Sequence, residues 1–514
     1  MQRDVGSLTS QVFDILVIGG GVYGAAIAHE AAFAGRRVAL VERGDFAGGA
    51  SSNSLKILHG GLRYLQQLDL VRMRSSIRAR RDWAQLAPTG VRPLPCVTAA
   101  FGLGLRSPLT FAAALVLNDA ISADRNRGLP PQCRLARGRL LSRREFARLT
   151  GHLGIGASSA ALWWDALAME PEQLVIELLQ QASRRGAVAA NYVEVLALSL
   201  ARGRVHGAAV RDRETGAEFE IRASKVICTA GAGVTSLLNG MPQARNLAAP
   251  GWCAALNLVF KRDVLLDVAL GAQADLAPIA GGFSSASHRA LMFVPWRGRT
   301  LAGTYYELPD SHVEAEQQRR SAALRFLDIA RRTLPGAGLD VNDIAMVHWG
   351  LLPLDRRWRA GEPPRLATSH EIRAGSEAGI AGLWVIAGPK FTTAREVARQ
   401  ALRRIDIQGT RHAALPMDQA RTTPGVVNAE EAGAAAARDA QARHLEDAVL
   451  RRCGLGSAGH PGEEALRHCA LGMGRVLGWD AARVRQEIAA VDGLYRSLHF
   501  WEGAAPGRVE EEIA

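Results

Sequence analysis

Lysine is almost absent from this 514-residue chain. Only four of its 62 basic residues are lysine, and the rest are arginine. Lys56 and Lys390 lie in short segments, SLKILHGG and GPKFTT, that also contain the turn-forming residues glycine or proline. Because the point charge of lysine and the fork of arginine bind anions differently, these two positions are candidates for a role that arginine does not fill.

Long apolar runs and paired cysteines are absent as well. The best apolar segment, PLTFAAALVL, stops at Asn118 and Asp119, and is too short to span a bilayer. The six cysteines stand far apart without a C-x-x-C pair, which favours reduced core residues and predicts no metal site. Residues 1–12 have no apolar core, so no signal peptide is expected. The predicted location is cytoplasmic, either free or peripheral on the inner face of the cell membrane.

The net charge of +12 is spread along the chain and is not gathered in one basic segment. No helix-turn-helix, zinc-finger or RNA-binding signature accompanies it, so no nucleic acid is expected as a partner. An anionic substrate or a membrane surface is compatible with this charge. The length and the 48% hydrophobic content predict two or three domains with a large core.

A glycine-rich turn near the start carries the first functional signal. The apolar run 13–18 precedes Gly19, Gly21 and Gly24, which form G-x-G-x-x-G, and a small-residue helix follows. The three glycines serve the tight turn, the close approach of a pyrophosphate and the packing of the helix on the sheet. Glu42 ends the next apolar strand, where a carboxylate accepts hydrogen bonds from ribose hydroxyls. The pattern predicts a bound dinucleotide in a doubly wound α/β sheet.

Two later strand-turn segments favour FAD over NAD as the dinucleotide. VICTAGAG brings Gly231 to the end of a buried strand, where backbone approaches a cofactor closely. VIAGPKFTTAREVA contains Gly388, Thr392 and Thr393 and begins a helix whose first N–H groups would stabilise negative charge on a reduced flavin ring.

These segments together give the chain its family resemblance. DILVIGGGVYGAAIAHEAA, SSNSLKILHGGLRYLQ, LMFVPW, LAGTYYE, GPKFTTAR and the helical tail occur in the order of the FAD-dependent glycerol-3-phosphate dehydrogenase and oxidase family. The chain resembles a divergent member. The resemblance implies an FAD-binding Rossmann-like domain of the glutathione reductase and D-amino-acid oxidase type, a mixed-sheet substrate domain and a C-terminal helical domain. It also implies oxidation of sn-glycerol 3-phosphate to dihydroxyacetone phosphate by hydride transfer to flavin N5.

The predicted boundaries make two of these domains discontinuous. The FAD-binding domain takes residues 1–95, 156–250 and 346–410. The substrate domain takes 96–155 and 251–345, and the C-terminal helical domain takes 411–514, beginning with a linker-like break over 411–430.

The resemblance also implies roles for single residues. Ser51, Ser52 and Lys56 match the segment that runs along the flavin. His59 matches a residue beside substrate and flavin, and its neutral imidazole suits a base that removes a hydroxyl proton. Arg63, Tyr64 and Lys390 match the groups that contact the substrate and its anion, so the candidate catalytic set is His59, Arg63 and Lys390.

The chain departs from the family pattern at two further arginines that the family uses to bind the substrate anion. Where the family has an arginine, this chain has Leu352 in WGLLPL, and a second family arginine aligns near Thr368 in LATSHE. The stretch GTYYE puts Tyr305 and Tyr306 where the family has smaller polar residues. Leu352 and the two tyrosines are therefore candidate substrate contacts.

Two explanations remain open from the sequence. Arg356 and Arg357, just after the LLPL turn, would reach in and replace the missing cations. Alternatively, the substrate is a less anionic or larger alcohol or amine, as in secondary metabolism. A third hypothesis is a non-catalytic flavoprotein.

The expected partners are a small-molecule substrate, quinone or oxygen as the electron acceptor, and the surface of a membrane. A homodimer is left open.

Overall fold

The computed structural model describes residues 1–102, 104, 106–265, 267–274, 290–310, 312–361, 365–407 and 428–498. In chain order its strands are β1 Val12–Ile18, β2 Val38–Val41, β3 Ile57–Leu58, β4 Val91–Ala100, β5 Arg139–Ser142, β6 Ser159–Ala168, β7 Val188–Ala190, β8 Val193–Ala201, β9 Arg204–Asp212, β10 Glu218–Cys228, β11 Trp252–Phe260, β12 Ala269–Gln273, β13 Ala290–Trp296, β14 Arg299–Glu307, β15 Ile344–Pro353, β16 Glu371–Ala374 and β17 Leu383–Ala387.

The α-helices lie between and after these strands. They are α1 Val5–Ser10, α2 Val22–Phe33, α3 Leu70–Leu86, α4 Pro108–Ile121, α5 Arg143–Thr150, α6 Pro171–Arg184, α7 Gly233–Leu238, α8 Ala315–Thr333, α9 Ala394–Arg404, α10 Ala429–Ala440, α11 Glu463–Leu477 and α12 Ala481–Leu498. Short 3-10 turns include Leu62–Gln67 after β3, and a π-helical turn spans Asp447–Arg452.

The first sheet is doubly wound around β1. Its strands run in the order β16-β17-β10-β1-β2-β7, and β8 and β9 continue from β10 as an antiparallel meander. β1 pairs in parallel with both β2 and β10. Because the run is apolar at nearly every position, Ile15 and Val17 pack under α2, α6 and α9, while Leu16 and Ile18 pack on the opposite face. The strand-turn-helix-strand prediction is confirmed.

The second sheet is mixed. Its strands run β15-β11-β14-β13-β12-β4-β6-β3, with β5 added on β6. The segments LMFVPW and LAGTYYE, which contribute to the family resemblance, lie in the antiparallel hairpin of β13 and β14. One face packs against α8 through residues such as Phe260 and Phe326. The opposite face covers the cavity described below and, farther along, packs on the C-terminal helices.

The helices α10, α11 and α12 and the segments between them, residues 428–498, form the C-terminal unit. A Cβ on Gly433 of α10 would lie 2.1 Å from the Cys469 carbonyl oxygen, and one on Gly472 of α11 would lie 1.8 Å from that of Glu430. The two helices therefore touch backbone to backbone through glycine. Residues 411–427 of the predicted linker 411–430 lie outside the described residues, and α10 begins after Asn428, which caps it.

The family-level fold prediction is confirmed, whereas the residue boundaries between domains stay a proposal. The second sheet draws β3 and β6 from segments that the sequence assigned to the FAD-binding domain. The stretch 96–155, which the sequence assigns to the substrate domain, contributes the end of β4, then α4, β5 and α5. None of the described helices is long and apolar enough to cross a membrane.

Candidate active site

A cavity of about 1870 Å³ lies where the two sheets meet. Its walls come from the carboxyl ends of β1, β10 and β17 in the first sheet and from β11, β14 and β15 in the second. A ligand site at the carboxyl ends of parallel strands is the usual place for a cofactor in a doubly wound sheet.

The glycine turn has the close contacts that its motif requires. Gly19 has a φ of 106°, and a Cβ there would lie 2.8 Å from Cα of Ala230. A Cβ on Gly24 would lie 1.9 Å from the Gly19 carbonyl oxygen, because the first turn of α2 packs directly on the glycine turn. Gly19 and Gly21 line the cavity, whereas Gly24 packs against the Gly19 carbonyl group outside the cavity lining. The backbone thus forms an open cradle at a helix N-terminus, which fits a pyrophosphate.

Glu42 stands beside this cradle. Its Oε2 accepts a hydrogen bond from the Gly20 N–H at 2.7 Å, and its Oε1 accepts one from the Gly44 N–H at 2.9 Å. Burial raises the pKa of this carboxyl, and the two N–H donors oppose that rise. Each carboxylate oxygen keeps a second lone pair, so Glu42 fits the role of ribose acceptor at the cavity wall.

Ser51 and Ser52 hold the loop after β2 in place. Ser51 Oγ accepts from the Val22 N–H at 2.9 Å, and the Ser52 hydroxyl donates to the Ala47 carbonyl. Ser51 lines the cavity, and its hydrogen bond anchors the loop to the first turn of α2. The hydrogen bond of Ser52 stays within the loop, and Ser52 is not part of the cavity lining.

Lys56 is placed differently from the expectation. Its segment lines the cavity, but its ammonium lies 3.4 Å from Glu172 Oε2 and 4.5 Å from the centre of the Trp296 ring. The side chain is 1% exposed. Lys56 therefore forms a buried ion pair that fixes the turn before His59, because a buried ammonium requires a partner.

On the opposite wall, Gly231, Gly388 and Thr392 line the cavity as expected, but Thr393 lies outside the lining. Thr393 is the residue that precedes α9. The Tyr23 hydroxyl donates to the Lys390 carbonyl oxygen at 2.9 Å, which ties this turn to α2. The turn is therefore fixed by the same helix that supports the glycine cradle.

His59 follows the short strand β3 and lines the cavity. Burial lowers the pKa of its imidazole to about 4; Asp165 opposes the shift, and Lys390 and Arg80 add to it. Asp165 accepts from the Gly60 N–H at 2.5 Å and from Arg80 Nη1 at 2.6 Å. The turn is held firmly and the imidazole is neutral at pH 7, so it is able to accept a proton.

The cations of the site gather around Tyr64. The Lys390 ammonium lies 4.8 Å from the centre of this ring, and the Arg72 guanidinium carbon lies 5.3 Å from it. Arg63 lines the same wall with an exposed side chain. Burial lowers the pKa of Lys390 to about 8, and Arg72 adds to that shift while Asp69 opposes it.

Arg72 lines the cavity and is a candidate site residue that no sequence motif marked. It lies in the first turn of α3, and its Nε donates to Asp69 Oδ2 at 2.6 Å. Asp69 also caps the helix by accepting from the Arg72 N–H. Asp69 is a recognisable helix N-cap in the sequence, but it does not indicate that the first turn of α3 packs beside Tyr64.

Three substrate contacts were predicted where the chain departs from the family pattern, and the structure places two of them in the cavity wall and one outside it. Leu352 and Tyr306 line the cavity. Tyr305 does not: it is buried on the other face of β14, stacks on Phe326 at 5.5 Å, and donates from its hydroxyl to Glu307 at 3.2 Å. The expectation for Tyr305 is wrong because neighbouring side chains in a strand point to opposite faces.

Arg356 and Arg357, which follow the LLPL turn, do not replace the two missing family arginines in the cavity. Arg356 donates to Glu371 and to the carbonyl oxygens of Asn246 and Leu247, away from the cavity. Arg357 reaches the cavity edge but forms a bidentate pair with Asp355 at 2.9 and 3.0 Å. The cation that enters this end of the cavity beside Lys390 comes from α3 instead.

The comparisons with known proteins agree with this geometry. A family model described as FAD dependent oxidoreductase matches residues 14–404. The chain is 27% identical to glycerol-3-phosphate dehydrogenase 2 of Mycobacterium bovis, covering 94% of the chain and 88% of that protein. It is 29% identical to the probable mitochondrial glycerol-3-phosphate dehydrogenase of Caenorhabditis elegans, over 81% of the chain but only 55% of that relative's length.

A solved structure supports the fold. The glycerol-3-phosphate dehydrogenase from Bacillus halodurans, complexed with FAD, superposes with a TM-score of 0.69 over 96% of this chain and 97% of its own, at 20% identity. The architecture of two sheets around a cofactor cavity is therefore shared with a flavoprotein.

Proposed function

The chain belongs to the FAD-dependent oxidoreductase family, and we propose that it oxidises sn-glycerol 3-phosphate at C2 to dihydroxyacetone phosphate. Its cofactor is FAD. The residues that would hold FAD are the Gly19–Gly21 cradle for the pyrophosphate, Glu42 for the ribose, and the Gly388–Thr392 turn for the ring. FAD supplies the acceptor for the hydride that leaves C2.

The observation that supports this substrate is the position of three cations beside a neutral imidazole. Arg63, Arg72 and Lys390 contribute three charges at one end of the cavity, and Asp69 balances one of them. A phosphate dianion matches the remaining charge. Arginine forks and a lysine point charge bind phosphate in complementary ways.

His59 supplies the proton acceptor in this proposal. Oxidation of a secondary alcohol removes a hydride from carbon and a proton from oxygen. The C2 hydroxyl donates its proton to an imidazole nitrogen of His59, which is unprotonated at pH 7 because burial lowers its pKa to about 4. Asp165 opposes that shift and so stabilises the imidazolium that forms. The cations bind the phosphate at the other end and keep the carbinol carbon in place.

A second candidate is a less anionic or larger alcohol or amine. The observation that favours it is the apolar wall of Leu352 and Tyr306, which has no donor for a phosphate apart from the tyrosine hydroxyl. The curated relatives named glycerol-3-phosphate dehydrogenase favour the first candidate.

Turnover with an artificial electron acceptor separates the two candidates. The proposal expects glycerol 3-phosphate to give a kcat/KM well above those of glycerol, other unphosphorylated polyols and amines. Glycerol used as well as glycerol 3-phosphate, or an amine used in preference to both, would support the second candidate and contradict the first.

We also propose that quinone or oxygen accepts the electrons and that the chain contacts a membrane surface near the substrate end. Val71 is 84% exposed, and Leu109 and Val116 of α4 are 80% and 72% exposed. A groove between α3 and α4 is lined by Val71, Arg74, Arg78 and Ile121 together with Glu396 of α9. Arg74 is paired with Asp124, so Arg78 is the cation that shares this face with the apolar groups. That combination suits an anionic lipid surface.

Sedimentation with vesicles tests the membrane contact. The double variant Val71→Asp/Val116→Asp should lose binding to phosphatidylserine-containing vesicles that the native protein retains. The double variant Leu471→Asp/Val476→Asp, at two exposed positions on α11, adds the same charge elsewhere; it is the matched control and should bind normally. Equal binding by all three proteins would reject this face as the contact.

A further inference from the structure

The cofactor cavity extends past Glu42 to a wall built partly by the C-terminal unit. Arg43, Gly44 and Asp45 line this end from the loop after β2. Glu446 and Arg451 line it from the segment between α10 and α11. Since Glu42 marks the ribose, this is the adenosine end of the site.

A buried ion network joins the two sides of that wall. Asp45 Oδ2 accepts from Arg451 Nε at 2.5 Å and from Arg452 Nη1 at 2.7 Å, and Oδ1 accepts from Arg452 Nη2 at 2.6 Å. Asn191 donates to Oδ1 at 3.0 Å. Burial would raise the pKa of the Asp45 carboxyl, but Arg452 and Arg451 hold it below its usual range. Asp45 is therefore a charged group whose hydrogen bonds come largely from the C-terminal unit.

The segment that carries the two arginines has an unusual backbone. Arg451 and Arg452 are consecutive, yet both reach Asp45 from the π-helical turn Asp447–Arg452. π-Helical turns are rare and occur frequently at functional sites. Arg451 also donates to Glu446 at 3.0 Å and to Asp447 at 2.9 Å, so the charges that line the cavity are fixed in one network.

Tyr192 ties this network to the first sheet. Its hydroxyl donates to Asp447 Oδ1 at 2.7 Å, and Tyr192 itself lines the cavity. The adenosine end is thus enclosed by residues that contact one another across the boundary between sheet and C-terminal helices.

We propose that the C-terminal unit is part of the FAD site: Arg451 and Glu446 close the adenosine end, and Asp45 couples docking of the unit to cofactor binding. Coupling of this kind is reciprocal. FAD stabilises the docked unit, and the docked unit raises the affinity for FAD. This inference concerns cofactor retention and holds whichever substrate the enzyme oxidises.

The test compares two arginines of the same unit. Arg451→Met removes the contact at the cavity wall. Arg443→Met removes an ion pair with Glu214, 3.2 Å long, that joins the same two parts outside the cavity lining. The affinity for FAD, measured from the flavin fluorescence that is recovered on dissociation, should fall by roughly tenfold or more in Arg451→Met and by less than about twofold in Arg443→Met.

An unchanged FAD affinity in Arg451→Met, or an equal loss in both variants, would overturn the proposal, because a purely structural contact lowers stability without acting on FAD selectively. A second measurement needs no variant. Amide hydrogen exchange of the native protein over residues 441–453 should slow when FAD is added. Identical exchange with and without FAD would equally overturn it.

Discussion

The ammonium of Lys390 lies 4.8 Å from the centre of the Tyr64 ring, and Tyr64 belongs to the 3-10 turn Leu62–Gln67 that follows His59. The turn before α9 and the turn after β3 are far apart in the sequence, yet they share this cation–π contact. The contact holds the ammonium without neutralising it, since a ring carries no net charge. Lys390 is left with its charge available at the substrate end of the cavity.

Arg72→Ala should weaken binding of an anionic substrate. Loss of one charge-assisted hydrogen bond costs about 1.5–3 kcal/mol, so KM for glycerol 3-phosphate should rise roughly tenfold or more while kcat changes less. The measurement is steady-state kinetics with an artificial acceptor. Arg74→Ala is the control, because Arg74 pairs with Asp124 outside the cavity lining. A normal KM in Arg72→Ala would remove Arg72 from the substrate site.

His59→Gln should lower kcat and leave the cofactor bound. Glutamine keeps a hydrogen-bonding side chain but accepts no proton, and loss of a general base costs about 10²–10⁴ in rate. Rapid-mixing measurement of flavin reduction gives the rate directly, and the flavin absorbance per protein confirms that FAD is retained. Flavin reduction at the native rate would show that another group takes the proton.

The pH dependence follows from the two shifted groups. His59 acts as a base only when neutral, and its lowered pKa of about 4 keeps it neutral until the pH falls to that value. Lys390 attracts an anion only when protonated, and its lowered pKa of about 8 means that the charge is lost as the pH rises through that value. We therefore expect kcat to fall below pH about 4 and KM to rise above pH about 8.

Glycerol 3-phosphate is already a dianion in the alkaline range, because the second pKa of a phosphate monoester is about 6. A rise in KM there would come from the protein and not from the substrate. A fall in kcat centred on pH 6.5, the ordinary value for histidine, would contradict the burial of His59.

Gly24→Ala should abolish retention of FAD. A Cβ at this position would lie 1.9 Å from the Gly19 carbonyl oxygen, so α2 would have to move away from the glycine turn that forms the cradle. Gly240→Ala is the control, since a Cβ there meets nothing within 4 Å. The ratio of flavin to protein absorbance after purification is the measurement. Full flavin content in Gly24→Ala would mean that this contact does not shape the cofactor site.

Local patterns predicted the first sheet and the turns that line the cavity. The glycine turn, Glu42 and the segment around His59 are each defined within about twenty residues of sequence. Tyr305 and Tyr306 were both expected to face the substrate, although the alternation of a strand allows only one of two neighbours to do so. That error was avoidable from the sequence alone.

Arg72 and Arg451 show where sequence reasoning ends. Arg72 enters the site because α3 begins at Leu70, directly after its cap Asp69, and its first turn lies beside Tyr64. Arg451 meets Asp45 across more than four hundred residues. Both contacts depend on how separate elements pack, and a single sequence in which arginine is common carries no local mark of either position.

The most direct test of the central claim is anaerobic titration of the oxidised holoprotein with glycerol 3-phosphate. The account predicts that the flavin absorbance bleaches on mixing, that glycerol at the same concentration leaves it unchanged, and that His59→Gln bleaches far more slowly. A flavin that stays oxidised with glycerol 3-phosphate, while dithionite reduces it normally, would contradict the claim.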